Sequence, residues 1–423
     1  MSAQYLPAVT PLTDKSPLVA EARRLISLAW NMPNEIAHIP SPNPVSIERS
    51  HLDFLQKNIN SFVVAEKSDG VRYLLLLGRH GAAQEPYSVM INRKFEIFEV
   101  SVYANPAYFD GSVFDGELVL EDIINTPSPK AAENEEEDDS KIDESQKKQR
   151  QVFLAFDVML CKGRLFKNEN YFERYKELNR VFELHQKDIL VNNVDKWDDV
   201  AKRLSQQEDK IVSLGNRLAL AFAPKPCVQA TNVGSLWRSM SRMRHKSDGL
   251  IFTPVYQPVM TGTHQTMFKW KQTHTLDMLV DATYSNRAWS FALAYKDGKE
   301  YRWTGQAPYP TINRRPVHLK VRTNPRLDAT AEYFGNKNKS QFRLLGEFSC
   351  TMDNGNDDDR KQSDGGKASQ QQPLICWCEL VRWREDKATP NNINVINNTL
   401  VNIYENIQID ELLRIASYQM YGI

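Results

Sequence analysis

Apolar residues recur every three to four positions over residues 18–30, where Val19, Ala22, Leu25, Ile26 and Ala29 fall on one side; this spacing predicts a helix. Pro33, Pro40, Pro42 and Pro44 follow and predict an extended crossing. From residue 61 to about 120 the pattern changes to short apolar runs separated by turn residues. Strands are predicted at 62–64, 73–77, 87–91, 95–100 and 113–120, and again at 152–160. The intervening stretch 126–151 is rich in Pro, Ser, Lys and Glu and is expected to be a disordered tip between neighbouring strands. Helical spacing returns at 171–186 and 197–214, and short strands at 218–222, 249–254 and 267–270.

After Asp277 the texture is short strands and turns up to about Arg384, with a second polar insert at 353–372. It predicts a small all-β unit. Residues 390–423 close the chain, and 400–404 and 409–416 are apolar enough for helices that pack back on a core. The expected organisation is α+β, with a first domain over 1–276, a β domain over 277–388 and a helical segment over 389–423. A chain of 423 residues exceeds what one hydrophobic core usually organises.

Charge adds a constraint. Lys and Arg number 53, Asp and Glu number 53, and the net charge is zero. That balance argues against a protein that coats nucleic acid non-specifically. Yet the acid is concentrated at 133–139 and 353–359, which leaves the remainder modestly basic and keeps an RNA end or a nucleotide open as a partner. No apolar run approaches the roughly 18 residues that span a bilayer, and the N-terminus has no signal-peptide layout. A membrane-free, intracellular protein is expected. Five cysteines fit a reducing compartment. Cys376 and Cys378 look like alternate strand positions. Zinc ligands are usually two to four residues apart and come with a second pair, so no structural zinc is expected.

The chemistry starts at Lys67-Ser68-Asp69-Gly70-Val71-Arg72, which sits between two apolar runs. It puts an amine and a guanidinium side by side at the mouth of a sheet. Six residues alone leave open a plain Asp-Gly turn flanked by solvated charges. An amine attacks phosphorus only when unprotonated, a state that burial or neighbouring cations favour. Further segments follow in order: Asn92-Arg93, Phe114-Asp115-Gly116-Glu117, Phe156-Asp157, Ser247-Asp248-Gly249-Leu250-Ile251, Lys269-Trp270-Lys271 and Arg382-Trp383-Arg384-Glu385-Asp386-Lys387. Pro44-Val45-Ser46 precedes them. Phosphoryl transfer needs cations around the phosphates more than it needs acid–base chemistry, and this chain gathers seven near its predicted strand ends: Arg72, Arg93, Lys269, Lys271, Arg382, Arg384 and Lys387.

Taken together, these segments resemble the motifs of the covalent nucleotidyltransferases, the superfamily of ATP-dependent polynucleotide ligases and mRNA guanylyltransferases. The Arg-x-Arg-x-Asp-Lys element and the Pro-Val-Ser segment resemble the guanylyltransferases in particular. The resemblance implies a nucleotidyltransferase domain of antiparallel sheets with flanking helices, followed by an OB-fold β-barrel. It implies that Lys67 takes GMP from GTP onto its side-chain nitrogen and passes it to a 5′-diphosphate RNA end as a GpppN cap. Arg72, Arg93, Asp115 and Glu117 would serve the nucleotide, and Phe156 would stack on the base. Asp248 and Glu117 would hold Mg²⁺ or Mn²⁺, both suited to hard oxygen ligands. Lys269 and Lys271 would address the α-phosphate, while Arg382, Arg384, Asp386 and Lys387 would orient the leaving pyrophosphate.

The resemblance further implies a nuclear enzyme, working beside the RNA polymerase II C-terminal tail and a separate RNA triphosphatase. Neither a phosphatase nor a methyltransferase segment is apparent, so an enzyme standing alone is expected. Asn92 stands where the family commonly has Asp, a change expected to be tolerated. Arg238, Arg242, Arg244 and Lys246 read as a basic helix end before Asp248 that fits a solvated face or a contact to RNA or guanine. No Gly-x-x-x-x-Gly-Lys-Ser/Thr loop occurs, which disfavours a P-loop NTPase. The alternatives are an ATP-dependent RNA or DNA ligase and a catalytically silent module that docks on the polymerase tail.

Overall fold

The strand that carries Lys67 and the strand that begins at Val71 do not pair with each other. Phe62–Ser68 lies in a five-stranded sheet, ordered Pro42–Ser46, Gly262–Lys271, Ser247–Pro254, Phe62–Ser68, Cys227–Gln229. Val71–His80 lies in an eight-stranded sheet, between Glu85–Asn92 and Ser112–Asp122. Asp69 and Gly70 therefore carry the chain from one sheet to another. The Asp-Gly turn is a crossover and not a hairpin, and this is what separates Lys67 from Arg72. The computed structural model describes residues 10–32, 38–102, 104, 106–122, 149–188, 218–219, 221–304, 306–307, 309–353, 372–385 and 387–417.

Burial explains the two textures. Along Phe62–Ser68, buried Phe62, Val64, Glu66 and Ser68 alternate with half-buried Val63, Ala65 and Lys67, the period of a strand with two unlike faces. Leu74, Leu75, Leu76 and Leu77 are all fully buried because both faces of their sheet are covered. On one side, Leu74 and Leu76 pack with Ala22, Leu25, Ile26 and Trp30 of the helix Pro17–Trp30. On the other, Tyr73, Leu75 and Leu77 pack with Leu178 and Val181 of the helix Tyr171–Asp188.

The chain divides into two compact units. One contains 4–45, 55–270 and 412–423, and the other contains 46–54 and 271–411 together with 1–3. The second unit is built on a seven-stranded sheet, ordered Glu300–Trp303, Ala288–Asp297, Thr275–Ser285, Gln341–Met352, Leu374–Trp383, Arg315–Arg322, Thr311–Ile312. Its pairs are antiparallel except for Arg315–Arg322 with Leu374–Trp383. Ile396 and Leu400 of the helix Ile393–Glu405 complete its core.

The stretch expected to be purely β also holds a helix, Pro325–Asn336. Its start signals were present: Asn324 accepts from the Leu327 amide as N-cap, Pro325 opens the first turn and Asp328 adds an acid there. The short helix at Arg49–Asn58 was likewise unexpected, whereas Val233–Met240 carries Arg238 in its last turn, at the helix end expected before Asp248. The expected helix at 197–214 and most of both polar inserts lie outside the described residues.

Candidate active site

Lys67 stands opposite Gly249 in the pairing of Phe62–Ser68 with Ser247–Pro254, and the register shifts between Ser247 and Gly249. Asp248 occupies that bulge. A bulge re-aims the side chain it carries, and Asp248 Oδ1 lies 2.7 Å from Lys67 Nζ. Both side chains remain about one-quarter exposed, so the amine is sheltered yet reachable. Gly70 is required by close approach: a Cβ there would sit 2.4 Å from the Leu118 carbonyl oxygen and 2.8 Å from Glu117 Cγ. Gly70 thus lets the Lys67 crossover press against the strand that carries Glu117. Gly116 is constrained on another side, where a Cβ would sit 2.4 Å from the Phe153 ring.

Across the crossover, Arg72 is locked. Its Nε and one terminal nitrogen donate to the two oxygens of Asp115 at 2.9 and 2.7 Å, and the other terminal nitrogen donates to the Pro42 carbonyl at 2.8 Å. Asp115 is fully buried, so it can act on a ligand only by fixing Arg72 and not by direct contact. The Arg72 guanidinium also lies 5.3 Å from the centre of the Phe156 ring, a cation–π contact that fixes the ring. Burial opposes the Arg72 charge, yet Asp115, Glu117 and Asp157 outweigh it and hold the proton more firmly. Burial pushes the Glu117 carboxyl up, while Lys225, Lys67, Arg72 and Arg93 pull it down. Arg93 is weakened first by desolvation and then by neighbouring Arg72. The structure thus brings Lys67, Arg72, Arg93 and Glu117 into one electrostatic cluster.

The floor of this cluster was not foreseen from the sequence. Lys225 is buried, donates to Ser68 Oγ at 2.8 Å, lies 3.3 Å from Glu66 and sits 6.0 Å from the Phe156 ring centre. Glu66, almost fully buried, also meets His245 Nε2 at 2.9 Å. Burial opposes the Glu66 charge, but His245 and Lys225 hold its carboxyl below the usual range. Only Glu66, adjacent to Lys67, carried a signal. Lys225 belongs to no motif, and His245 was hidden in the basic stretch before Asp248.

The other expected cations divide. Phe62 and Phe268 stack at 6.1 Å on one face of the five-stranded sheet. By strand alternation Lys67, Lys269 and Lys271 belong to the opposite face. Arg382, Arg384 and Lys387 belong to the second unit, where carboxylates hold them. Arg382 Nε donates to Glu347 at 2.5 Å, Arg384 donates to Asp277 at 3.0 Å, and Lys387 pairs with Asp277. Asp386 lies outside the described residues.

Comparison with known families decides the setting of these residues. The family described as mRNA capping enzyme, catalytic domain, matches residues 7–132 and 139–273, more than half of the chain. The chain belongs to the mRNA capping enzyme family. Curated capping-enzyme relatives extend the similarity through the second unit. The mRNA-capping enzyme subunit alpha of Neurospora crassa is 25% identical, covering 96% of this chain and 93% of the relative. That of Schizosaccharomyces pombe is 24% identical over 89% and 79%, and that of Saccharomyces cerevisiae 22% over 98% and 86%. Among solved structures, the ATP-dependent DNA ligase from bacteriophage T7 in complex with ATP aligns with a TM-score of 0.32 and 12% identity, covering 73% of this chain and 93% of that one. That likeness is too loose to carry weight. No helix among the described residues is long and apolar enough to cross a membrane.

Proposed function

We propose that this capping-family chain is an mRNA guanylyltransferase in which Lys67 is the nucleophile. GTP is its substrate. In the first step the Lys67 nitrogen attacks the α-phosphorus, the N–P bond forms, the bond to the β-phosphate oxygen breaks and pyrophosphate leaves. In the second, a terminal oxygen of a 5′-diphosphate RNA attacks the same phosphorus, the N–P bond breaks and the GpppN cap is released. The observation that carries this reading is the 2.7 Å pair of Lys67 with Asp248, set beside the fixed Arg72 and Phe156.

Each group has a task that its surroundings support. Asp248 orients the amine. Arg72, pinned by Asp115 and Pro42, presents a rigid cation whose position costs no reorganisation during transfer. Phe156 offers a face for the base, and Lys269 and Lys271 add positive charge on the Lys67 face of their sheet. Arg382, Arg384 and Lys387 are the groups we assign to the leaving pyrophosphate. Asp248 and Glu117 fit a divalent cation: both are hard oxygen donors beside Lys67, and Glu117 is a buried carboxylate whose charge a cation would stabilise. Mg²⁺ or Mn²⁺ held by Asp248 and Glu117 would supply positive charge to neutralise that of the phosphates. The relatives are named as alpha subunits, which supports a separate RNA triphosphatase as partner. We extend the reading to work in the nucleus beside the RNA polymerase II tail.

The test is incubation with α-labelled GTP or ATP and Mg²⁺ or Mn²⁺, followed by denaturing electrophoresis. Label from GTP alone is expected. Label from ATP alone would indicate a ligase, and label from neither would leave a docking module.

A further inference from the structure

Three of the five cysteines meet on one face of the seven-stranded sheet. In the pairing of Gln341–Met352 with Leu374–Trp383, Cys350 stands opposite Cys378 and Met352 opposite Cys376. Opposed residues of an antiparallel pair project to the same side, so three thiols and a thioether form a two-by-two set. The Sγ atoms of Cys350, Cys376 and Cys378 all lie within 4.8 Å of one another, and Cys350 and Cys378 are 3.6 Å apart. Sulfurs sharing a tetrahedral zinc, with bonds of about 2.3 Å, would stand about 3.8 Å apart. Small shifts of the thiols would reach that spacing.

A buried cysteine ordinarily acts as a small apolar residue, and burial keeps its thiol protonated. Here Cys376 and Cys378 are fully buried and Cys350 is half-buried. Three sulfurs grouped within 4.8 Å, one of them only half-buried, form a ready donor set. We propose that Cys350, Cys376 and Cys378, with the Met352 thioether beside them, bind a thiophilic d¹⁰ cation, Zn²⁺ or Cu⁺.

The donor set selects this class. Among the described residues no His, Asp or Glu ligand atom joins the three thiols in the group, and three sulfurs suit a soft cation better than a hard one such as Mg²⁺ or Ca²⁺. Charge sets the balance in an apolar core. Zn²⁺ on three thiolates leaves one net negative charge, with every thiol proton released. Cu⁺ reaches the same charge on two thiolates, with one thiol proton retained. The bound ion would clamp the two strands a few residues before Arg382. The sequence alone hid the site because its third thiol, Cys350, is on the neighbouring strand.

The test uses the full-length reduced protein under anaerobic conditions. It is titrated with Zn²⁺ against a chromophoric chelator and, separately, with Cu⁺ delivered as its bicinchoninate complex. One ion per chain is expected, retained through gel filtration, and the arm that saturates names the cation. Cys350→Ser, at a half-buried position, and Cys378→Val, which keeps the core apolar, should each weaken binding by at least about a hundredfold. Circular dichroism confirms that each variant is folded. Binding of neither ion at one equivalent, or binding as tight in both variants as in the parent, overturns the proposal.

Discussion

Arg72 grips both oxygens of Asp115 in the interior of the protein, with the guanidinium and the carboxylate each less than one-tenth exposed. Breaking such a pair on one side leaves a buried charge uncompensated, a loss of roughly 3–5 kcal/mol. Asp115→Ala should therefore lower the urea midpoint and also abolish GMP attachment, because Arg72 loses its position. Arg72→Met leaves the Asp115 carboxylate unpaired in turn, so it should lose both stability and attachment. GMP attachment retained in either variant under conditions where it is folded would show that the pair serves the fold alone.

His245 gives a pH signature. Burial opposes its charge, yet the Glu121 and Glu66 carboxylates, 3.8 and 2.9 Å from its ring nitrogens, lift the imidazole from 6.5 to about 9. A raised folded value means stability that is fully present below about 6.5 and is lost as pH rises through about 9, on the order of 3 kcal/mol. Glu66, held low, acts in the opposite sense, with stability lost as pH falls below its ordinary value of 4.5. Denaturation midpoints measured from pH 6 to 10 should fall in the parent and flatten in His245→Gln. A parent midpoint independent of pH across that range would contradict the charged cluster.

Gly70→Ala places a methyl group 2.4 Å from the Leu118 carbonyl oxygen. Overpacking of this kind costs roughly 1–3 kcal/mol. The crossover must move away from the Glu117 strand, so GMP attachment should fall more than the melting temperature alone explains. Gly81→Ala is the control, since a Cβ there meets nothing within 4 Å, although its φ of +67° adds backbone strain.

Arg382 and Lys387 are assigned to the departing pyrophosphate, so they should matter for one step only. Removing a group that stabilises developing charge costs roughly 3 kcal/mol, or about a hundredfold. Arg382→Ala and Lys387→Ala should show that loss in GMP attachment from GTP. Transfer from preformed adduct to diphosphate-ended RNA should change little. Equal losses in both steps would count against the assignment.

Most of the chemistry was legible because phosphoryl transfer draws on few residue types in short segments: Lys67 with its Gly70, Glu117 beside Gly116, Asp248 before Gly249. Hydrophobic period placed the strands around them. What escaped depends on pairing between distant segments. Whether Asp69 and Gly70 turn a hairpin or cross between sheets depends on partners far along the chain, Glu117 and Gly249 among them. Lys225 lies on no periodic or motif-bearing segment, and it enters the site only because Ser68 and Glu66 face it. The helix Pro325–Asn336 was different: its Asn-Pro start was visible, and the surrounding strands obscured it.

The central claim is that Lys67 carries the nucleotide. The most direct measurement is mass spectrometry of the protein after incubation with GTP and Mg²⁺, with peptide mapping of the added GMP under alkaline conditions that preserve a phosphoramidate. The account predicts one GMP on Lys67, and none in Lys67→Arg, whose guanidinium stays protonated and cannot attack. GMP mapped to another residue, or attached undiminished in Lys67→Arg, would contradict it.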